Sequence, residues 1–333
     1  MPTENALVQV RAARAIAVCK GNPVNAQRYA AQWGNAVVSY IERSITDTGS
    51  LQAGSVPLLD LGSHLVQLVR RKSAIERVNN VMPFYRVPPF LAVLSLDVDA
   101  SAGWTAEAAK ITVSGQGFST YRIGALKSTA MAVYTQEFLR SVDPNVDTAI
   151  QRDLSRALAK VEDKAFFDPA NGGDAATPPS PFYGHTLDGS GDISNDIDTL
   201  LANADPDLLG EIVLTFNAAD TPALMKSHLA GDSTLNAVDG GFLAGLPAVP
   251  APVPRGAIGF VAPALIAMTE AGANIEASTQ STVEVVDDAT GTSSVVSLWQ
   301  QDLASLRAVH YLNWRAGRAD AAGMVTNVIG GTT

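Results

Sequence analysis

The stretch that most constrains this chain runs from residue 96 to residue 168. Two extended arms, residues 96–110 and 111–130, carry Gly103, Gly115, Gly117 and Gly124 among short polar side chains, and a long amphipathic helix follows them. Glycine there lowers backbone stiffness in the distal part of the hairpin. Arms of about 12 residues, rising roughly 3.3 Å per residue, carry the tip on the order of 40 Å from its base. Such a hairpin has too few large apolar side chains in its middle to fold over a core of its own. No other part of the sequence offers it a matching platform, so the surface it needs belongs to a neighbouring copy of the same chain. On this reading the chain is a building block and not a catalyst.

The helix after the hairpin opens at Asp143-Pro144, a capping carboxylate followed by proline at the first helical position. Val146, Ile150, Leu154, Ala157, Leu158, Val161 and Ala165 make its apolar stripe, with Arg152, Arg156, Asp163 and Lys164 largely off it. Asp168-Pro169 closes it, because the residue before proline avoids helical torsions. About 24 residues at 1.5 Å rise give a rod of roughly 36 Å. A rod of that length suits the spine of a sheet.

With 333 residues, 47% hydrophobic and 17% charged, the chain has ample material for a folded core. Its one cysteine, Cys19, excludes an intrachain disulfide and fits folding in the cytosol. The N-terminus lacks the pattern of a signal peptide. The apolar run at 257–268 is broken by Pro263 and falls well short of the roughly 20 residues a membrane helix needs. The net charge of −10 is unevenly placed: residues 1–90 carry ten Lys or Arg against five Asp or Glu, and residues 91–333 carry thirteen against twenty-eight. A basic arm on an acidic body implies electrostatic docking between copies; a solvated basic helix gives the same numbers. The basic residues are not interleaved with stacking aromatics as in a nucleic-acid reader.

Along the chain, residues 4–19 and 24–44 read as two helices. Leu7, Val10, Ala13, Ala17 and Val18 form the stripe of the first, with Arg11 and Arg14 off it, and Ala26, Tyr29, Ala30, Trp33, Val37 and Tyr40 form that of the second. Both are short of a self-contained core and are expected to pack on another domain or subunit. Residues 46–54 read as a joint and 58–71 as a helix, while 74–81 lead into an extended piece bounded by Pro83, Pro88 and Pro89. The strand at 90–99 starts the hairpin, and residues 170–192 form a Gly-, Pro- and Asp-rich surface loop. From residue 193 the pattern alternates: helices at 193–203, 221–229 and 262–268, strands at 211–217, 245–253, 257–260, 274–278 and 282–286. A long β segment at 295–314 returns to the sheet that the spine helix covers.

Chemistry-bearing clusters are missing. His64, His185, His228 and His310 have no metal-ligand spacing. The alternating acids from Asp188 to Asp198 lack a calcium loop's turn glycine, with Ile193 there, and its closing glutamate, with Thr199 there. Gly115-Gln116-Gly117 is not followed by a third glycine, and no nucleophile elbow, phosphate loop or zinc-protease motif occurs. No catalytic, cofactor-binding or metal-binding residue is therefore assigned.

Taken in order, several segments resemble the major capsid proteins of tailed bacteriophages, whose fold is shared with encapsulins and the floor of herpesvirus capsids. They are Gly103-Trp104-Thr105-Ala106-Glu107-Ala108-Ala109-Lys110, then Gln136-Glu137-Phe138-Leu139-Arg140, then residues 151–167. Leu246-Pro247, Leu298-Trp299-Gln300-Gln301-Asp302 and Leu306-Arg307 follow, and Thr48-Gly49-Ser50 with Val56-Pro57 looks like the passage from arm to body. Residues 11–33 are similar to the segment upstream of that passage in capsid genes fused to a prohead protease.

The resemblance implies an α+β capsid fold with an N-terminal arm (1–85), an extended β-hairpin loop (96–128), a peripheral domain with a long spine helix (129–169 and 287–320) and an axial α+β domain (170–286). It implies a structural protein of the virion, assembled in the host cytoplasm into hexamers and pentamers of an icosahedral shell around double-stranded DNA. Portal, scaffold or protease and decoration proteins would be further partners; no enzyme activity, cofactor or membrane is implied. Inter-subunit contacts are expected at Trp104, Glu107, Lys110, Phe118, Tyr121 and Arg122 of the loop, and at Arg11, Arg14, Tyr29 and Trp33 of the arm. Some family members lock the shell by a lysine–asparagine isopeptide bond promoted by a glutamate. Lys110 matches the lysine, but Asp302 and Val309 stand at the other two positions, so cohesion without crosslinking is expected. The long scaffolding segment of some members has no counterpart, which implies a mature form, a chain begun at Met1 or a separate scaffold. An encapsulin-like compartment holding a cargo enzyme is the alternative; the basic helical pair at 4–44 argues against it.

Overall fold

The computed structural model describes residues 7–46, 58–98, 117–141, 145–204, 210–227, 234–279, 282–286 and 293–329. The N-terminal region holds three helices where the sequence suggests two. Helix α1 (Val8–Val18) ends at Lys20-Gly21, both at positive φ. Helix α2 (Pro23–Ala30) starts on Asn22, whose side chain accepts the Val24 and Asn25 amides. A 3₁₀ turn (Ala31–Trp33) then meets Gly34 at φ 97, a conformation that breaks the helix before α3 (Asn35–Thr46). Helix α4 (Leu58–Lys72) lies where expected. Residues 74–81, read as the lead into an extended piece, are helix α5 (Ala74–Val81), because Ser73 caps the Ile75 amide.

A two-residue strand β1 (Tyr85–Arg86) leads to β2 (Ala92–Val98), which pairs antiparallel with β3 (Gly117–Arg122). This is the base of the expected hairpin; its distal part, including Gly103 and Gly115, lies outside the described residues. The second arm does not run on as one strand: it leaves β3 and restarts as β4 (Leu126–Thr135) in another sheet. Thr135 then caps α6 (Gln136–Arg140).

Helix α7 (Asn145–Phe167) is the expected rod, although its Asp143-Pro144 opening lies outside the described residues. Its buried positions take in Val146, Ile150, Leu154 and Leu158 of the stripe read from the sequence. They fall in adjacent pairs four residues apart, from Val146/Asp147 and Ile150/Gln151 to Glu162/Asp163 and Phe166/Phe167, while Ala157 and Val161 are exposed. A spacing of four turns the buried face by about 40° per step, so the two ends of the helix bury different sides.

The remaining elements are β5 (Thr186–Asp188), α8 (Ile193–Ala202), β6 (Val213–Phe216), α9 (Thr221–Lys226), β7 (Thr234–Asn236), β8 (Gly240–Leu243), β9 (Leu246–Pro250), β10 (Ile258–Val261), β11 (Ile266–Ser278), β12 (Thr282–Val286), β13 (Ser293–Ser297), β14 (Leu303–Ala316) and β15 (Ala322–Thr326). The helix expected at 262–268 is a 3₁₀ turn, Pro263–Leu265, opening straight into β11. The long segment at 295–314 is two strands, β13 and β14, split by a turn in which Asp302 takes φ 50.

The chain forms two compact units. The first comprises Met1–Lys72, Lys127–Lys160 and Gly272–Tyr311. One of its cores joins Val10, Ala13 and Ala17 of α1, Leu65 and Val69 of α4, Ile150, Leu154 and Leu158 of α7, and Ala304, Leu306 and Ala308 of β14. The opposite side of α1 supplies Val8, Ala12 and Ala15 to a second core with Ala26, Ala30, Val37 and Ile41. The N-terminal helices thus share a small core of their own, which the sequence reading did not expect, and also pack on α4, α7 and β14. Alanine makes this work, since small side chains let α2 and α3 close on that face of α1.

The second unit comprises Ser73–Leu126, Val161–Ala271 and Leu312–Thr333. It is built on a seven-stranded sheet, β5-β15-β10-β6-β9-β8-β7. Successive residues of a strand point to opposite faces. Val213, Val249, Val261 and Met324 accordingly enter one core, and Leu214, Ala248, Phe260 and Val325 the other. Burial on both faces explains the continuous apolar runs of β6 and β10. In the first core Phe166 meets Phe84, Phe167 and Trp314 edge-on at 4.9–5.8 Å between centroids. The loop at 170–184 is tied to it: Ser180 Oγ donates to Phe166 O at 2.6 Å, and Trp314 Nε1 donates to Pro179 O at 2.8 Å.

Candidate assembly surfaces

The arm residues singled out by sequence sit around one buried carboxylate. Helix α1 turns Arg11 and Arg14 toward the first turn of α7, where Asp147 is 1% exposed. Arg14 Nη1 lies 2.6 Å from Asp147 Oδ1 and Arg11 Nε 3.1 Å from Oδ2. Arg14 Nε also donates to Leu139 O at 2.6 Å and Nη2 to Ser141 O, two carbonyls at the end of α6 that no helical amide reaches. The planar guanidinium suits such a fork of acceptors. Its carbon lies 5.2 Å from the centre of the Trp33 ring, and Tyr29 meets Trp33 edge-on, also at 5.2 Å. Arg14, placed off the apolar stripe by sequence and assigned to a neighbouring copy, is only 2% exposed. Its donors are satisfied inside its own chain, so its charge is not available to another. The signal in the sequence was Asp147, a lone acid at the start of the spine helix.

Of the loop residues, Trp104, Glu107 and Lys110 lie outside the described residues. Phe118 stands opposite Leu96 in the β2–β3 register, and Tyr121 opposite Val93. The Arg315 guanidinium lies over the Tyr121 ring at 4.7 Å, and Asn313 Nδ2 donates to Gly124 O at 2.5 Å, so the root of the hairpin is held from the end of β14. Arg122 is exposed at the base of the hairpin. Phe90, Leu91 and Leu94, which the sequence reading did not single out, leave a large apolar surface open there, Leu94 being 63% exposed.

A second exposed apolar pair, in the first unit, is Val295 on β13 and Trp299 in the turn that follows, 75% and 72% exposed. Leu298, beside Trp299, is fully buried. The turn separates them, which a continuous-strand reading of 295–314 hides. Asp302, at the position matched to the crosslinking asparagine, is exposed and pairs with Lys20 at 3.2 Å, and Val309 is buried in β14. Among the described residues no three His, Cys, Asp or Glu side chains form a group able to hold a metal, and no helix is long and apolar enough to cross a membrane.

One electrostatic anomaly lies at Asp163 of α7. Its carboxylate accepts the Ser73 hydroxyl at 2.6 Å and the Ala74 and Ile75 amides at 2.7 and 3.2 Å. Burial outweighs these bonds and, helped by Glu162, pushes its pKa up to about 6. The group caps the first turn of α5 and ties it to α7.

Comparison with known proteins places these exposed apolar side chains in context. Residues 60–239 match the Phage capsid family. The capsid polyprotein of Pseudomonas phage PAJU2 is 28% identical over 291 residues, an alignment spanning 79% of this chain and 43% of that protein. The chain therefore spans less than half the length of this curated relative. Among solved structures, a chain from Microbacterium phage Oxtober96 aligns with a TM-score of 0.54 at 13% identity, covering 86% of this chain and 98% of its own. One from Mycobacterium phage Adephagia gives 0.51 at 15%, covering 85% and 97%. The capsid of a native GTA particle gives 0.51 at 14%, covering 84% and 97%. At these identities the likeness is one of fold, and it extends over most of each chain. With more than half of its sequence matched and the α+β capsid architecture in place, this chain belongs to the phage capsid family and has the fold of a tailed-phage major capsid protein.

Proposed function

We propose that the chain builds an icosahedral shell as hexamers and pentamers and encloses double-stranded DNA without reading its sequence. The observation that carries this reading is the family match over residues 60–239, joined to a capsid likeness spanning most of the chain. Exposed apolar side chains at the hairpin root and around Trp299 support it, since a solitary soluble protein gains nothing from them. In this scheme residues 170–286 form the axial domain around the hexamer and pentamer axes, 129–169 with 287–320 the peripheral domain, and 1–85 the arm. The loop at 96–128 lies across the adjacent subunit, with Trp104, Glu107, Lys110, Phe118, Tyr121 and Arg122 as contacts. Tyr29 and Trp33 add contacts from the arm, while Arg11 and Arg14 hold that arm on α7. Assembly takes place in the host cytoplasm, and portal, scaffold or protease, and decoration proteins complete the virion.

Cohesion in this scheme is non-covalent. Asp302 carries no amide to exchange with a lysine and Val309 no carboxylate to promote the exchange, so the shell holds by burial at many moderate interfaces. Sedimentation followed by a denaturing gel tests both halves. The expected result is a megadalton particle that falls to a single band at the 34.8 kDa of the chain. A particle giving a ladder of covalent oligomers contradicts the cohesion, and a monomer at high concentration contradicts the shell. Replacing residues 99–116 by a two-residue turn is expected to leave a soluble chain that closes no shells; intact shells from that variant would remove the loop from the assembly.

A further inference from the structure

Four basic residues in the first 90 positions are paired within the chain. Arg11 and Arg14 face Asp147, Lys20 faces Asp302, and Arg86 faces Glu76 and Glu270. Arg14 in particular is not available to a neighbour, being 2% exposed; a further stretch of positive charge lies on α7. Arg152, Arg156 and Lys160 follow one another at intervals of four along α7, all on its exposed side, and none has a carboxylate partner among the described residues. Four residues advance the helix by about 6 Å, so the three charges form a gently winding row of roughly 12 Å. Asp153, the acid on that side, is held by the Tyr134 hydroxyl at 3.2 Å.

The chain also contains a complementary tract. Residues 165–225 hold ten Asp or Glu and no Lys or Arg. Of these acids Asp174, Asp188, Asp192, Asp198 and Glu211 are exposed. Resting on the shell reading, we propose that the Arg152–Arg156–Lys160 row of one copy docks against the exposed acids Asp174, Asp188, Asp192, Asp198 and Glu211 of a second copy. A self-assembling chain that carries its free cations and its excess acids on different segments is steered into one register with its copies, and like charges are kept apart. Exposed pairs add little binding energy singly; their effect lies in the rate and register of assembly and fades with salt.

The test is shell formation by the full chain, followed by light scattering and electron microscopy at low and high salt. The wild type is expected to assemble faster at low salt. Arg152→Glu/Arg156→Glu/Lys160→Glu is expected to keep its fold by circular dichroism and to lose at least tenfold in shell yield at low salt. Asp188→Lys/Asp198→Lys on the same chain is expected to restore much of that loss. Unchanged yield in the triple variant overturns the proposal, and so does a loss that the second pair of changes fails to rescue. Normal empty shells that retain less DNA reassign the row to phosphate binding. A wild type that forms no particles at all overturns the shell reading beneath it, an outcome separable from the others.

Discussion

Arg14 and Asp147 stand 2.6 Å apart with almost no water around either, and that isolation decides what their loss costs. Removing one partner of a buried pair leaves the other charged and unpaired, at about 3–5 kcal/mol. Arg14→Ala is therefore expected to destabilise the chain by about that much in urea unfolding, and Arg11→Ala by much less, because Arg14 still neutralises the carboxylate. Equal, small effects would contradict the assignment. Asp163 gives a second prediction at this scale. Its folded pKa of about 6 lies above the unfolded value near 3.8, so its contribution is fully present below about pH 4 and is lost as pH rises through 6. The wild type should lose about 3 kcal/mol of stability across that window relative to Asp163→Asn, which no longer titrates. A difference between the two that stays flat with pH would place the carboxylate in water.

At the scale of elements, backbone geometry decides what side-chain pattern leaves open. Gly241, the second residue of β8, takes φ 151, and a Cβ there would lie 1.6 Å from Thr234 O across the β7–β8 pair. Gly241→Ala is expected to break that edge, raising amide exchange at Thr234–Asn236 at least tenfold while β6 and β10 stay protected; unchanged exchange would contradict the register. Glycines of this kind are why β7 and β8 were invisible in the sequence: three- and four-residue strands full of glycine and polar residues show no alternation to read. The elements that were legible, α4, α7, α8, β6 and β10, are those with long periodic or continuous apolar runs. Alpha-7 also shows where periodicity misleads. Beside Val146, Ile150, Leu154 and Leu158 its buried face carries Asp147, Gln151, Ser155, Glu162 and Asp163, while Ala157 and Val161 of the apolar stripe are exposed. Asp147 and Asp163 are buried because partners distant in sequence, Arg14 and Ser73, meet them there.

On the scale of the whole molecule, the sequence carried the fold through the order of its landmarks, not through any one of them. Each of the two units has its own core. The assembly surfaces were less legible. Exposure of Leu94, Val295 and Trp299, and engagement of Arg14 within the chain, depend on tertiary packing that composition does not reveal. What unites these features is a chain that leaves large apolar side chains open at its surface. Electron microscopy of the purified chain at rising concentration tests this most directly. The account predicts closed icosahedral particles without any added protein; a monodisperse 34.8 kDa monomer at every concentration would contradict it.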